Sequence, residues 1–276
     1  MKIDARYVLK EPDYGNAPLP DDLDLNLRIG GSRLLGEIYL PSGIYDAPHP
    51  CVIVCHGVPG TNCNDDLCQN LRRMGCAVIR PYHRGAWGSG GFYSFSHCIE
   101  DAEAVARWTR ENAAGLYALD RERIFLVGHS NGGNTVLNAF AALPFIRAAI
   151  AFAPFDHKAA AGMLTEQQFR ELMKEFGSVI RTAGPDALYE DSVRNRDSWS
   201  FAALAPKLKD RNLLVIGSLR DNTAPPAQMI EPFWQKLEAL PTQAVHKKIM
   251  LDSNHSMDTV RLKLSEIIGR FIEEMI

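Results

Sequence analysis

Residues Ile124 to Asn134 read IFLVGHSNGGN, and the rest of the chain is best understood from this stretch outward. Ile124, Phe125, Leu126 and Val127 form a short apolar run of β-formers, the pattern of a strand buried on both faces. Gly128, His129, Ser130, Asn131 and Gly132 follow at once. In such a Gly-Xaa-Ser-Xaa-Gly turn the chain passes from strand to helix so sharply that Ser130 is expected in a strained backbone conformation. Side chains two positions before and after the serine would collide, and Gly128 and Gly132 supply the clearance. Beyond the turn, Asn134 to Ala142 can wind into a helix whose N-terminal amides point back at Ser130, where a developing negative charge would be stabilised.

The flanking sequence extends the pattern. Leu23 to Ile29 and Arg33 to Leu40 enclose Gly30 and Gly31 and predict an antiparallel hairpin. Cys51 to Cys55 (CVIVC) reads as a second buried strand and runs into His56, Gly57, Val58, Pro59 and Gly60, a loop able to present a backbone N–H to a ligand. Leu67 to Met74 predicts a helix and Cys76 to Arg80 a strand. After the glycine-rich loop Pro81 to Gly91 comes a segment with Glu100, Asp101 and Glu103 early and Arg107 and Arg110 late, an order that complements a helix dipole. Ala148 to Phe152, Asn212 to Gly217 and His246 to Leu251 predict further strands, and Ile230 to Leu240 and Val260 to Phe271 predict helices.

Residues 156–206 break this rhythm. Phe169, Leu172, Met173, Phe176 and Ile180 fall at helical spacing with no strand-like run between them, which predicts a helical insertion. Alternation of strands and helices over this length implies an α/β fold: one domain spanning 1–276, with a mostly parallel sheet covered by helices on both faces.

Composition narrows the function classes. The 276 residues are 46% hydrophobic, enough for a substantial core, and a net charge of −3 leaves no electrostatic footprint for nucleic acid or an anionic membrane. The N-terminal MKIDARYVLKEPDYG has no apolar stretch of signal-peptide length, and no run approaches a membrane span. A soluble cytoplasmic protein is therefore expected. Cys51, Cys55, Cys63, Cys68, Cys76 and Cys98 fit no standard zinc spacing, and reduced thiols packed as small hydrophobes are expected instead of a metal centre. No metal or other cofactor is expected.

Ser130 needs a base, and the base needs an orienting acid. Asp221 follows the strand ending at Gly217, and His255 follows the last strand; both lie at strand C-termini, where ligands collect in open α/β sheets. Asp156 also follows a strand end and is the main rival acid, ahead of Asp186 and Asp252. The order Ser, Asp, His, together with GHSNGG, HGVPG and PYHRGAWGSGG, resembles the α/β-hydrolases over nearly the whole chain, and in particular their prolyl-oligopeptidase-like and bacterial esterase branch. The resemblance implies Ser130 as nucleophile, His255 as base and Asp221 as orienting acid, with an oxyanion hole formed by the backbone N–H groups of Val58 and Asn131. Residues 156–206 join two core strands at the edge where Ser130 must lie, so they are expected to form a helical cap over the strand ends.

The expected activity is hydrolysis of a small-molecule carboxylic ester through an acyl-enzyme. The rivals are an aminoacyl or dipeptidyl serine peptidase of the same fold and a hydrolase fold kept as a binding module. Peptidases of that branch usually carry an N-terminal propeller, for which the residues before Pro41 leave no room. Trp87, Phe169 and Phe176 are candidates to line an acyl pocket, set against the ordinary role of aromatics at helical spacing as core.

Overall fold

In the computed structural model, which describes residues 1–61 and 64–276, the apolar runs become the strands of one sheet. These are β1 (Asp21–Ile29), β2 (Ser32–Leu40), β3 (His49–Cys55), β4 (Ala77–Tyr82), β5 (Leu119–His129), β6 (Ala148–Phe152), β7 (Asn212–Ser218) and β8 (His246–Leu251). The order across the sheet is β1-β2-β4-β3-β5-β6-β7-β8. β1, β2 and β4 pair antiparallel, and every pairing from β4 through β8 is parallel.

The helices in chain order are α1 (Asp65–Arg73), α2 (Phe95–Trp108), α3 (Ala114–Tyr117), α4 (Asn131–Ala142), α5 (His157–Met163), α6 (Glu166–Gly177), α7 (Ala187–Trp199), α8 (Phe201–Leu208), α9 (Pro226–Met229), α10 (Glu231–Glu238) and α11 (Arg261–Met275). Successive residues of a strand point to opposite faces, so the parallel strands feed two cores. Cys51, Ile53, Ile124 and Leu126 join Val105, Leu137, Phe140, Leu204 and Phe233 under α2, α4, α8 and α10. Val52, Val54, Phe125 and Val127 join Leu67, Leu71, Leu264 and Ile268 under α1 and α11.

The segment expected as an insertion contains four helices, α5 to α8. They do not form one unit. Phe201, Leu204 and Leu208 of α8 sit in the sheet core, and α8 packs on α4 and α10 as the crossover between β6 and β7. α6 packs on α7 and α5, and Phe169 of α6 stacks edge-to-face on Tyr189 of α7 with ring centroids 6.0 Å apart. Thr165 opens α6 with a capping box completed by Gln168, which accounts for its sharp start.

The described cysteines, Cys51, Cys55, Cys68, Cys76 and Cys98, are free and buried; Cys63 lies outside the described residues. Burial pushes the Cys55 and Cys76 thiols up to about 12, so both stay protonated and pack as apolar groups. Among the described residues no group of His, Cys, Asp and Glu is placed to hold a metal ion. No described helix is long and apolar enough to cross a membrane.

Candidate active site

β5 ends at His129 and α4 begins at Asn131, which leaves Ser130 alone to turn the chain. Its φ of 56° and ψ of −121° are outside the regions that L-residues favour. Two glycines make the turn possible. A Cβ on Gly128 would stand 2.0 Å from the Gly132 carbonyl oxygen, and one on Gly132 would stand 2.2 Å from that of Cys55. The turn is fastened to the neighbouring strand end by the Ser130 N–H, which donates to the Phe152 carbonyl at 3.1 Å, and by the Phe155 N–H, which donates to the Ser130 carbonyl at 3.0 Å.

The loops after β7 and β8 bring two more groups to this point. His255 Nε2 lies 2.9 Å from Ser130 Oγ, and His255 Nδ1 lies 2.7 Å from Asp221 Oδ2. With Nδ1–H donating to the carboxylate, Nε2 is left as the acceptor for the serine hydroxyl. The other oxygen, Asp221 Oδ1, accepts the N–H groups of Thr223 at 2.9 Å and Ala224 at 2.7 Å. Burial alone would raise the Asp221 carboxyl. The hydrogen bond and charge of His255, with those two amides, outweigh it and hold the group below the ordinary carboxylate range.

The loop after β3 closes the site from the other side. Gly57 approaches so closely that a Cβ there would meet the Ser130 Cβ at 3.1 Å. His56 anchors this loop: its Nδ1–H donates to the Gly57 carbonyl at 2.7 Å while Nε2 accepts the His83 N–H at 3.3 Å. A small cavity of about 110 Å³ is lined by Gly57, Val58, Pro59, Gly60, Thr61, His129, Ser130, His255 and Ser256. The Asn131 amide, at the first position of α4, has no acceptor within its own helix. A larger cleft of about 1090 Å³ lies alongside, walled by Phe155, Ala160, Met163, Leu164, Leu172 and Met229, with Asn222 and Thr223 next to Asp221.

The aromatic candidates separate. Phe176 packs edge-to-face on Phe155, centroids 5.8 Å apart, and so backs the wall of the larger cleft. Phe169 is 2% exposed and belongs to the core between α6 and α7. Trp87 stands 37% exposed on the loop between β4 and α2, outside the lining of both cavities.

Asp156 does not meet His255. It caps α5, accepting from the N–H groups of Lys158 at 2.8 Å and Ala159 at 3.1 Å, while its second oxygen accepts the Phe201 N–H at 2.8 Å. Two further histidines contact the site directly. His129 donates from Nε2 to the His255 carbonyl at 2.9 Å, and His157 Nε2 lies 3.0 Å from the Asn131 side-chain oxygen. Burial lowers His56, His129 and His157 to about 3, so all three are neutral. Adjacent to Asp156, His157 carried one signal: a polar residue just after an apolar strand, at the end of the sheet where Ser130 lies.

Comparison with known proteins fits this frame. The family model described as serine aminopeptidase, S33, matches residues 46–218, more than half of the chain. No curated protein matches the sequence. Among solved structures, Est1E from Butyrivibrio proteoclasticus is 17% identical with a TM-score of 0.67, over 91% of this chain and 98% of that one. An esterase of Pyrococcus furiosus is 16% identical with a TM-score of 0.66, over 92% and 91%. An acylaminoacyl peptidase of Pyrococcus horikoshii is 17% identical with a TM-score of 0.67, over 92% of this chain but only 41% of its own. At these identities the likeness is one of fold. The strand order, the turn at Ser130 and the matched residues lead to one conclusion: the chain belongs to the serine aminopeptidase, S33, family of α/β-hydrolase-fold hydrolases.

Proposed function

We propose that this chain is a serine hydrolase that cleaves small carboxylic esters through an acyl-enzyme. The observation that carries the reading is the unbroken chain from Asp221 Oδ2 through His255 to Ser130 Oγ, at 2.7 and 2.9 Å. Ser130 Oγ attacks the ester carbonyl while its proton passes to His255 Nε2. The carbonyl oxygen, now negative, is stabilised by the N–H groups of Val58 and Asn131. His255 then gives the proton to the departing alcohol, and a water activated by the same nitrogen cleaves the acyl-serine. Asp221 holds the imidazole in the tautomer this sequence requires and stabilises the imidazolium. No step calls for a metal or cofactor.

Ester cleavage is favoured over peptide cleavage because the cavity at Ser130 is small, about 110 Å³. An amide is the harder bond, and its cleavage draws on binding contacts remote from the reacting carbonyl. A peptidase is the second reading, favoured by the family description and by the cleft of about 1090 Å³ beside the Asp221 loop. A binding module that has lost catalysis is the third. In the leading reading α5 to α7 act as a cap over a single domain, and the protein works in the cytoplasm.

A fluorophosphonate should label Ser130, located by peptide mapping, and Ser130→Ala should abolish hydrolysis of p-nitrophenyl acetate. Labelling of a different serine, or full turnover by Ser130→Ala, would overturn the assignment. Corrected for uncatalysed rates, acceleration of aminoacyl or dipeptidyl p-nitroanilides should fall well below that of the ester; equal acceleration would favour the peptidase.

A further inference from the structure

The residue after the serine is an asparagine that is 1% exposed, a costly choice unless both ends of its side chain are paired. Both are. Asn131 Oδ1 lies 3.0 Å from His157 Nε2, and Asn131 Nδ2 lies 3.2 Å from the Tyr93 hydroxyl. His157 Nδ1 lies 2.9 Å from Ser192 Oγ.

The donors and acceptors can all be assigned in one direction. Ser192 O–H donates to His157 Nδ1, and His157 Nε2–H donates to Asn131 Oδ1. The Asn131 amide then donates to the Tyr93 hydroxyl. Each member comes from a different element: Ser192 from α7, His157 from α5, Asn131 from α4 and Tyr93 from the loop before α2.

His157 itself has little freedom to shift. Its ring is packed among Phe95, Phe155 and Trp199, with centroids 4.3, 5.2 and 5.8 Å away. The preceding Asp156 fastens α5 to the start of α8.

We propose that His157 is a positioning residue that seats the Asn131 peptide group through its side chain, and so couples the placement of α5 and α7 to oxyanion stabilisation. The inference rests on the serine-hydrolase reading above. The Asn131 N–H is one end of the peptide plane that follows Ser130, and that plane starts from a backbone conformation with no intrinsic preference for it. Something must hold it, and a side chain pinned at both ends does so. A displacement of even 1 Å at such a donor costs on the order of 100-fold in rate.

The test uses the full chain. His157→Phe keeps the volume and removes both hydrogen bonds; kcat for p-nitrophenyl acetate should fall roughly 10- to 100-fold with KM nearly unchanged. Affinity for a trifluoromethyl ketone, whose adduct carries an oxyanion, should fall in parallel. His157→Gln, which retains a donor and an acceptor, should recover most of the loss. In an Asn131→Leu background, His157→Phe should add nothing further. If His157→Phe does not fold, Ser192→Ala removes the outer bond alone and should lower kcat about 3- to 10-fold by the same logic. A folded His157→Phe enzyme with unchanged kcat, or one that loses only KM, would overturn the proposal while leaving the nucleophile assignment intact. Full activity in Ser130→Ala would instead overturn the serine-hydrolase reading and this inference with it.

Discussion

Asp156 and Asp221 follow the ends of neighbouring strands, β6 and β7, and start from the same circumstances. Both are buried, 5% and 4% exposed, and both accept backbone amides from the residues that follow them. They differ in the remaining partner, which is the Phe201 N–H for Asp156 and the His255 imidazole for Asp221. The cause is strand order. β8 pairs with β7 and not with β6, so the loop that carries His255 leaves the sheet beside the end of β7 on its way to Ser130. There the Leu219 N–H donates to the Leu251 carbonyl at 2.8 Å and the Arg220 N–H to the Ser253 carbonyl at 3.0 Å, which zips the two loops together. The charge states diverge as a result. Burial outweighs the amides and raises the Asp156 carboxyl, whereas His255 and the amides outweigh burial and lower Asp221. An acid at a strand end is thus only a candidate, and the neighbouring strand decides its role.

The strongest attempt to break this contrast is to neutralise each acid in turn. Asp221→Asn should lower kcat by about 10⁴, the scale seen when a catalytic imidazole is left in the wrong tautomer. Asp156→Asn should leave kcat within a few-fold. Turnover of p-nitrophenyl acetate by both folded variants decides it, and the reverse ranking would move the orienting role to the end of β6.

Acid titration of stability separates the two carboxylates by sign. His56, His129 and His157 sit near 3 in the fold against about 6.5 when unfolded. Below about 6.5 the unfolded chain binds more protons, so stability should fall as pH drops from there toward 3, by up to about 1.4 kcal/mol per pH unit for each histidine. Asp221, lowered in the fold, contributes stability that is present above its unfolded value and lost as pH falls through its folded value. Asp156, raised in the fold, contributes with the opposite sign, because its protonation on the way down relieves a burial cost. Urea unfolding in steps from pH 7.5 to 4 should therefore show a steeper acid loss for Asp156→Asn than for the parent chain. A flat profile for the parent between pH 6.5 and 5 would show that the three histidines are not held neutral.

The smallest effect sharpens the structural role of Asp156. Asn keeps an acceptor for the Lys158 and Ala159 amides but turns an NH₂ toward the Phe201 N–H, so stability near neutral pH should drop by about 1–3 kcal/mol. Asp221→Asn, which keeps an acceptor for Thr223 and Ala224, should lose less than about 1 kcal/mol. Urea midpoints measure both.

Much of the fold was legible because it is written in periodicity. His246–Leu251 is a strand from end to end as the sequence reads, and the glycine pair at Gly30 and Gly31 does turn β1 into β2. α2 starts earlier than its charge order suggested, at Phe95, because Ser94 caps it by accepting the His97 N–H at 3.0 Å. Periodicity marks an apolar helix face but not the surface that it meets, so α8 was read with α5 to α7 although it packs on the sheet. Phe169 and Trp87 fell to the same limit, since their chemistry does not say whether they face a cleft, a core or solvent. At the site, Ser130, Asp221 and His255 could be nominated because each follows a strand end. His157 offered only its place after β6, because its polar contacts reach across 26 and 35 residues to Asn131 and Ser192 and leave no period in the sequence.

Ser130 holds a backbone conformation that costs a non-glycine residue on the order of 1–3 kcal/mol. The rest of the fold sustains that cost, and a glycine at this position would not incur it. Selection for stability alone would therefore push position 130 toward glycine, opposed by the hydrogen bond that the serine hydroxyl makes with His255. The serine endures in a lineage only while its hydroxyl confers an advantage. For the engineer the same arithmetic runs in reverse: screens that reward only heat tolerance or expression will tend to enrich variants that have discarded the proposed nucleophile, and an activity readout must accompany every round.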